Sequence, residues 1–139
     1  MKKWMIGLAC GFISINGIAQ KKPVSDNLKA SIKRGAEVYL LQCLACHQAD
    51  GGGVPHLNAP LDGSNNVKGN NKSRLIKLVL KGLSGEELDG ENYSNTMAPH
   101  SDLSDRQIAD VLTYIRNNWT NKASSVTVAE VKSVRSKNK

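Results

Sequence analysis

The stretch that decides the fold is Cys43-Leu44-Ala45-Cys46-His47. Residues that are three and four positions apart lie on the same face of a helical turn. Cys46 and His47 are therefore expected beside Cys43, with two thiols and one imidazole directed to the same point. This spacing predicts a compact binding site made by a single turn of helix.

Such a motif has the spacing that attaches haem covalently, with each thiol added across one vinyl group and the imidazole against the iron. A dithiol redox pair is the first alternative, but it usually belongs to a βαβ unit, for which the chain shows no pattern. A zinc site would need two further ligands, and His56 and His100 are not spaced as in a zinc finger. We expect one haem c, bound through Cys43 and Cys46, with His47 as the proximal iron ligand.

The sixth iron ligand must come from another part of the chain. After residue 19 the chain contains one methionine, Met97, in an irregular stretch. A thioether opposite an imidazole raises the reduction potential and fills the coordination shell of the iron. We expect Met97 to be this ligand, with His100 and His56 as the alternatives.

Groups around the iron ligands can also be predicted. The Nδ1 of a ligating histidine needs an acceptor that fixes its tautomer and raises its basicity, and for His47 we expect a backbone carbonyl near Pro55. The haem propionates are expected to meet polar side chains, for which the candidates are Tyr93, Trp119, Lys68 and Arg74.

The pattern of apolar residues predicts an all-α fold with three main helices, long loops around the haem and a short C-terminal helix. The first helix is expected to begin at Asn27, capped by Ser25 or Asp26. Gly35 in its middle is expected to let another backbone come close. The apolar face of this helix is predicted to consist of Leu28, Ile32, Ala36, Tyr39, Leu40 and Cys43.

The other helices are predicted from their caps. Ser73 is expected to cap the second helix, which ends at Gly82 and Gly85. Capping boxes predict the last two helices; they are Ser104 with Gln107, and Thr127 with Glu130. The irregular stretches 48–71 and 85–102 remain as the loops around the cofactor.

The first nineteen residues predict export. A positive start and an apolar run precede Gly17 and Ala19, which place small residues at −3 and −1 of a cleavage site. A lipid anchor at Cys10 is not expected, because Gly7 stands where a lipoprotein signal has a larger apolar residue. No later stretch is long and apolar enough to span a membrane. We therefore expect a periplasmic protein.

Charge gives a weaker indication about partners. The formal net charge of the 139 residues is +7. Basic residues recur at i, i+3 and i+7 along the second predicted helix; they are Arg74, Lys77 and Lys81, with Lys68 and Lys72 nearby. Such a pattern is typical of a face that steers an acidic partner, but it is equally typical of a solvated helix face. No nucleic-acid partner is expected.

These features together resemble the class I mono-haem cytochromes c. Gly35-Ala-Glu-Val-Tyr39 is similar to the family's opening helix, whose glycine and aromatic meet an aromatic of the last helix, here Tyr114. Gly51-Gly-Gly53-Val54-Pro55 resembles the loop whose proline carbonyl accepts from the proximal histidine. Asn95-Thr-Met97-Ala-Pro99 resembles the distal loop, and residues 103–119 look like the closing helix.

More narrowly, the closing helix followed by residues 126–135 is similar to bacterial cytochromes that serve quinoprotein sugar or alcohol dehydrogenases. Comparable modules are fused to copper nitrite reductases. Two departures stand out: Ala98 separates Met97 from Pro99, and Ala59-Pro60 replaces a pair of prolines.

The resemblance implies a cytochrome c domain over residues 27–122, after a signal peptide at 1–19 and a flexible lead at 20–26, and before an extension at 123–139 with the short helix. It also implies single-electron transfer from a dehydrogenase donor to an oxidase or reductase acceptor, with no catalytic residue. The alternatives are an electron-transfer subunit of a quinoprotein dehydrogenase or reductase complex, and a ligand-binding or peroxidatic haem protein.

Overall fold

A computed structural model describes residues 28–138. The predicted signal peptide, the lead, the helix caps at Ser25 and Asp26, and Cys10 lie outside the described residues. Within this range there are six helices and no strand; they are α1 Leu28–Gln42, α2 Leu44–His47, α3 Asn65–Lys68, α4 Lys72–Lys81, α5 Asp105–Arg116 and α6 Val128–Ser136. The predicted all-α fold is confirmed, with α2 as an additional single turn directly after α1 and α3 as an additional turn inside the loop at 48–71. None of the helices in residues 28–138 is long and apolar enough to cross a membrane.

The crossing of α1 and α5 organises the core, and Gly35 lies at the crossing point. A β-carbon on Gly35 would overlap the carbonyl oxygen of Asp110 and lie 2.7 Å from the Cβ of Tyr114. The Asp110 carboxylate, buried to 2% exposure, accepts from Ser31 Oγ at 2.6 Å and from the Arg34 guanidinium at 2.6 and 2.8 Å. The close approach predicted at Gly35 is confirmed.

The apolar face predicted for α1 is wrong in part. Leu28 and Leu40 remain 45% and 61% exposed. The residues of α1 that are buried are Ser31, Gly35, Val38 and Tyr39. Ser31 and Gly35 let α5 approach closely, while Val38 and Tyr39 pack in the hydrophobic core.

The helix α4 begins one residue before the predicted cap. Its N-cap is Asn71, whose side chain accepts from the backbone N of Arg74 at 3.0 Å. Asparagine and serine are equally good N-caps, and Asn71 reaches the free amide of the first turn while Ser73 lies inside that turn. The predicted cap at Ser73 is therefore wrong, whereas the predicted end at Gly82 is confirmed.

Both predicted capping boxes are present, at the starts of α5 and α6. Helix α6 belongs to the same core, because Val131 is fully buried in the cluster that α4 and α5 form. Arg135 also binds the Asp105 carboxylate through its Nε at 2.6 Å, which joins the end of α6 to the start of α5.

Candidate haem site

The attachment motif forms its own turn, α2, directly after α1. The backbone N of Cys43 donates to the Tyr39 carbonyl at 2.9 Å, and the backbone N of His47 donates to the Cys43 carbonyl at 3.0 Å. Cys43 is half-buried and Cys46 is exposed, and both are free thiols. These two cysteines and His47 line a single cavity, as the sequence predicts.

The cavity has apolar walls from three helices. Val67 of α3, Leu75 and Val79 of α4, and Leu112 and Ile115 of α5 line it. Apolar walls of this kind exclude water from a large flat ligand and bury its surface. With two free thiols at one side, this cavity fits a covalently bound porphyrin.

The acceptor for His47 differs from the prediction. The Nδ1 of His47 lies 2.9 Å from the carbonyl oxygen of Ala59, so the predicted acceptor near Pro55 is wrong. Val54 and Asn58 pair across a tight turn, with N–O distances of 3.0 and 2.8 Å. This turn contains Pro55 and returns the chain, so that Ala59 lies against the imidazole.

The surroundings of His47 favour its neutral form. Burial lowers the pKa of His47 and the charge of His100 lowers it further, whereas the hydrogen bond to Ala59 acts in the opposite direction. A neutral imidazole that donates from Nδ1 carries its lone pair on Nε2, which is the form that binds a metal. The chain therefore presents His47 in the tautomer that an axial iron ligand requires.

The Cys43 thiol does not have the lowered pKa of a redox-active cysteine. Burial, with a smaller contribution from Cys46, raises the pKa of Cys43 to about 11. Reactive Cys-x-x-Cys pairs have a lowered thiol pKa instead. Zinc has no support either, because residues 28–138 contain no group of three or more His, Cys, Asp or Glu side chains that can hold a metal.

The candidates for the sixth ligand are separated by the fold. Met97 and His100 both line the cavity, whereas His56 does not. The backbone of Met97 pairs with Leu83, with N–O distances of 2.8 and 3.1 Å, and the backbone N of His100 donates to the Val79 carbonyl at 2.8 Å. Of the three predicted candidates, the structure therefore leaves Met97 and His100 at the cavity.

The side chain of Trp119 contacts other groups than the predicted haem propionate. Its indole N donates to the Ala49 carbonyl at 2.9 Å, and its ring lies 5.5 and 5.9 Å from the rings of Tyr39 and Tyr114. Tyr39 and Tyr114 are themselves 5.3 Å apart, as the resemblance implies. Trp119 is outside the cavity lining and its ring packs in this aromatic cluster, so the structure gives no support to the predicted contact with a propionate.

Among the other propionate candidates, Tyr93 lines the cavity and its hydroxyl lies 3.4 Å from the Glu91 carboxylate. Arg74 is outside the lining and forms an ion pair with Glu86 at 2.9 Å. Lys68 is exposed at the end of α3 and is also outside the lining. The structure therefore keeps only Tyr93 at the cavity.

Comparison with known proteins agrees with this geometry. The family model described as Cytochrome c matches residues 32–119. The matched span contains the attachment turn and Met97. The chain belongs to the cytochrome c family. It is a class I c-type cytochrome, a family that binds haem c covalently and transfers electrons.

The relatives of this cytochrome are of two kinds. The cytochrome c subunit of a quinone alcohol dehydrogenase from Gluconacetobacter polyoxogenes is 38% identical over 106 residues, covering 73% of this chain and 22% of that protein. The cytochrome c subunit of gluconate 2-dehydrogenase from Pantoea cypripedii is 36% identical over 107 residues, covering 73% and 24%. Cytochrome c-552 of Thermus thermophilus is 37% identical over 89 residues, covering 61% of this chain and 67% of the relative. The chain spans about a fifth to a quarter of the dehydrogenase subunits.

Asn121 supports the cytochrome's cavity, and sequence reasoning missed it. Its side chain is 1% exposed, and its Nδ2 donates to the Leu61 and Ile115 carbonyls at 2.9 Å each. Its Oδ1 accepts from the backbone N of Gly63 at 3.0 Å. The bonds join the loop at 61–63 to the end of α5, beside two residues that line the cavity. No pattern in the sequence distinguishes Asn121 from an exposed loop asparagine.

Arg116 is a second residue that the sequence does not reveal. Its side chain is 1% exposed and donates to backbone carbonyls of Val67, of Gly69 at 2.9 Å and of Ser124 at 2.7 Å. Burial lowers its pKa, while the charge of Glu130 raises it. A basic residue in the last turn of a helix is typically solvated, so its position predicts exposure, whereas here it holds the backbone behind the cavity wall.

Proposed function

We propose that this cytochrome is an exported carrier that passes single electrons from a dehydrogenase to an oxidase or reductase. The observation that supports this proposal is that the attachment turn, His47 and Met97 line one apolar cavity in a chain of the cytochrome c family. Haem c supplies reversible one-electron chemistry at its iron when it is bound.

The residues of the chain have distinct parts in this proposal. Cys43 and Cys46 would hold the haem through thioether bonds, and His47 would hold the iron through Nε2 while Ala59 fixes the orientation of the imidazole through Nδ1. Met97 would supply a second iron ligand, a thioether, which raises the reduction potential. With His47 and Met97 both holding the iron, no coordination position would be left for a substrate, and we propose that the protein is a carrier without catalytic activity of its own.

The proposed axial ligation has a direct spectroscopic test. The oxidised protein should show the weak near-red charge-transfer band from sulfur to iron. Met97→Ala should abolish this band, and the matched variant His100→Ala should keep it. A band that persists in Met97→Ala, or that disappears in His100→Ala alone, would remove methionine ligation from the proposal.

The proposed donor is a quinone-linked dehydrogenase, because the relatives are named as subunits of such enzymes. The basic face of α4 is smaller than predicted, since Lys72 pairs with Glu130 at 2.9 Å and Arg74 pairs with Glu86. Lys77 and Lys81 remain exposed and are the proposed contacts for an acidic partner.

The donor proposal is tested by mixing the oxidised cytochrome with a quinone-dependent alcohol dehydrogenase and its alcohol. We expect rapid haem reduction that slows with rising salt. Lys77→Glu with Lys81→Glu should slow it roughly tenfold at low ionic strength. Lys33→Glu with Lys122→Glu makes the same change in net charge elsewhere and is the control. Equal slowing by both pairs would exclude a specific basic face.

Export is proposed from residues that lie outside the described range. Mass spectrometry of the protein purified from the periplasm should give a mature chain that begins at Gln20, after cleavage behind Ala19. A mature chain that begins at Met1, or at a lipid-modified Cys10, would contradict this proposal.

A further inference from the structure

The segment that carries Met97 has few internal supports. Between residues 84 and 96 every residue is exposed except Leu88 and Tyr93, which are half-buried. A short antiparallel turn from Leu88 to Glu91 is the regular feature of this segment.

Two further contacts hold the segment to the loop at 48–63: the backbone N of Ser94 donates to the His56 carbonyl at 3.0 Å, and that of Asn95 donates to the Leu57 carbonyl at 3.1 Å. On the side of α4, the position of Met97 depends on the residues where the segment leaves that helix.

The end that adjoins α4 makes direct backbone contact with Met97. The backbone N of Leu83 donates to the Met97 carbonyl at 3.1 Å, and the backbone N of Met97 donates to the Leu83 carbonyl at 2.8 Å. Leu83 follows Gly82, which ends α4 with its own N donating to the Leu78 carbonyl at 2.8 Å. The last turn of α4 is thereby connected to Met97 through one residue.

Gly82 allows this connection in two ways. Its φ of 72° and ψ of −171° belong to a backbone region that is essentially restricted to glycine. A β-carbon on Gly82 would overlap the carbonyl oxygen of Met97 and lie 3.0 Å from the Pro99 nitrogen and 3.1 Å from the Ala98 carbonyl carbon. All three are backbone atoms, which cannot rotate away as a side chain can.

We propose that Gly82 is a positioning residue that sets the place of the Met97 thioether relative to the iron. This inference rests on the proposed ligation by Met97. Val79 and Leu80 are 8% and 6% exposed and hold α4 in the core. An added side chain at Gly82 therefore displaces residues 97–99, which lie in the exposed loop, and carries Met97 away from the cavity.

The test uses the haem-loaded protein with Gly82→Ala. We expect it to lose most of the near-red band, to have a lower reduction potential, and to bind added imidazole at the oxidised iron at least tenfold more tightly. Covalent haem content should be unchanged, because Cys43, Cys46 and His47 belong to a separate segment. The matched control is Gly90→Ala, in the same loop, where φ is 89° and no atom lies within 4 Å of an added β-carbon.

Two results would overturn the proposal. The first is a Gly82→Ala protein that keeps the near-red band and the imidazole affinity of wild type. The second is an equal loss of the band in Gly82→Ala and Gly90→Ala, which would assign the effect to backbone strain.

A measurement on the wild-type protein tests the proposal even if Gly82→Ala does not accumulate. The amides of Leu83 and Met97 should exchange with deuterium together and more slowly than those of 84–87, and equal exchange would contradict the proposal.

These experiments distinguish a failure of the positioning role of Gly82 from a failure of the proposed ligation by Met97. A wild-type protein without the near-red band would exclude Met97 as the ligand. A wild-type protein with the band, and a Gly82→Ala variant that behaves like Gly90→Ala, would leave the ligation standing and remove only the positioning role of Gly82.

Discussion

The two sides of the haem cavity are built differently. The proximal frame, which we define as α1, α2, residues 48–63 and α5, contains the crossing at Gly35 and the buried Asp110 network. Eight of the twelve residues of α5 are buried. The distal loop, residues 83–102, is largely exposed, and the backbone pair of Leu83 and Met97 is a main support for its ligand.

This difference indicates a division of tasks between the two sides. Attachment and the proximal imidazole belong to a frame that contains the buried, paired Asp110 carboxylate and the crossing at Gly35, so they should move only when this crossing unfolds. The distal ligand belongs to a segment that can open locally at a lower free energy. Exchange of the iron ligand is therefore expected on the distal side, and the following changes test this asymmetry.

The largest effect is expected from Gly35→Ala in the proximal frame. The added carbon would overlap the Asp110 carbonyl, and overpacking at a backbone-to-backbone contact should cost roughly 3 kcal/mol or more. Urea unfolding of the haem-loaded protein, followed by far-UV circular dichroism, measures the loss. Lys33→Ala on the exposed side of the same helix is the control. An unfolding free energy within 1 kcal/mol of wild type for Gly35→Ala would show that the frame tolerates separation of its helices.

An intermediate effect is expected from Asn121→Ala. It leaves the Leu61 and Ile115 carbonyls and the Gly63 amide without their partner, which should cost about 1–3 kcal/mol. The exposed Asn70→Ala provides the comparison, with an expected change within about 0.5 kcal/mol. If the two variants were equally stable, Asn121 would not connect the loop to α5 in solution.

The elements of the fold were predictable to the extent that local interactions determine them. The capping boxes at Ser104 and Thr127 involve residues three positions apart, so the sequence contains the whole interaction. The buried face of α1 was predicted wrongly because it depends on how closely α5 approaches Gly35. That approach places Ser31 and Gly35 in the interface and leaves Leu40 in solvent.

The residues of the haem site differ in the same way, between those whose arrangement is local and those that depend on the folded chain. Cys43, Cys46 and His47 share one turn, and their arrangement follows from helix geometry alone. The acceptor Ala59 contributes a backbone carbonyl, which every residue possesses, so its identity depends on the turn at 54–58. Arg116 likewise binds carbonyls that the chain brings together only when it is folded.

A smaller effect on stability is expected from Met97→Ala, because the change lies in the distal loop. We expect a loss of about 1–2 kcal/mol, at or below the low end for core methionines, since Met97 is only half-buried. His100 lines the same cavity, so part of the oxidised protein should remain low-spin with two histidine ligands. Electron paramagnetic resonance measures this fraction.

The double variant Met97→Ala/His100→Ala is the matched comparison for this prediction. It should give a high-spin spectrum, because His47 is then the one histidine or methionine left among the cavity-lining residues of the described chain. Identical spectra for the single and double variants would show that His100 does not reach the iron.

The smallest effect concerns pH and the helix α6. Burial raises the pKa of Glu130, but hydrogen bonds from Thr127 and Lys72 outweigh it, and the pKa is lowered from 4.5. A carboxyl with a lower pKa in the folded protein adds stability above its unfolded pKa, and this contribution disappears as the pH falls through the folded pKa. Because Glu130 is partly exposed and its charge is screened by solvent, we expect its ionisation to contribute less than about 1 kcal/mol to the free energy of unfolding.

Glu130→Gln isolates this contribution. The stability difference between wild type and Glu130→Gln should be present at pH 6 and should shrink as the pH falls below 4.5. Thermal unfolding at a series of pH values measures it. A difference that is independent of pH would assign the role of Glu130 to its geometry in the capping box and not to its charge.

The bond between Ser31 and Asp110 has a consequence for the order of assembly. It joins residues that are 79 positions apart, and Cys43 and Cys46 lie between them in the sequence, closer to Ser31. A growing chain therefore presents its attachment motif before α5 exists, when no crossing can yet enclose it. The thiols of Cys43 and Cys46 would therefore be accessible in the open polypeptide, and the late contact between α1 and α5 would then close the chain beside them. Long-range contacts of this kind form slowly, which lengthens the interval in which the two thiols can be reached.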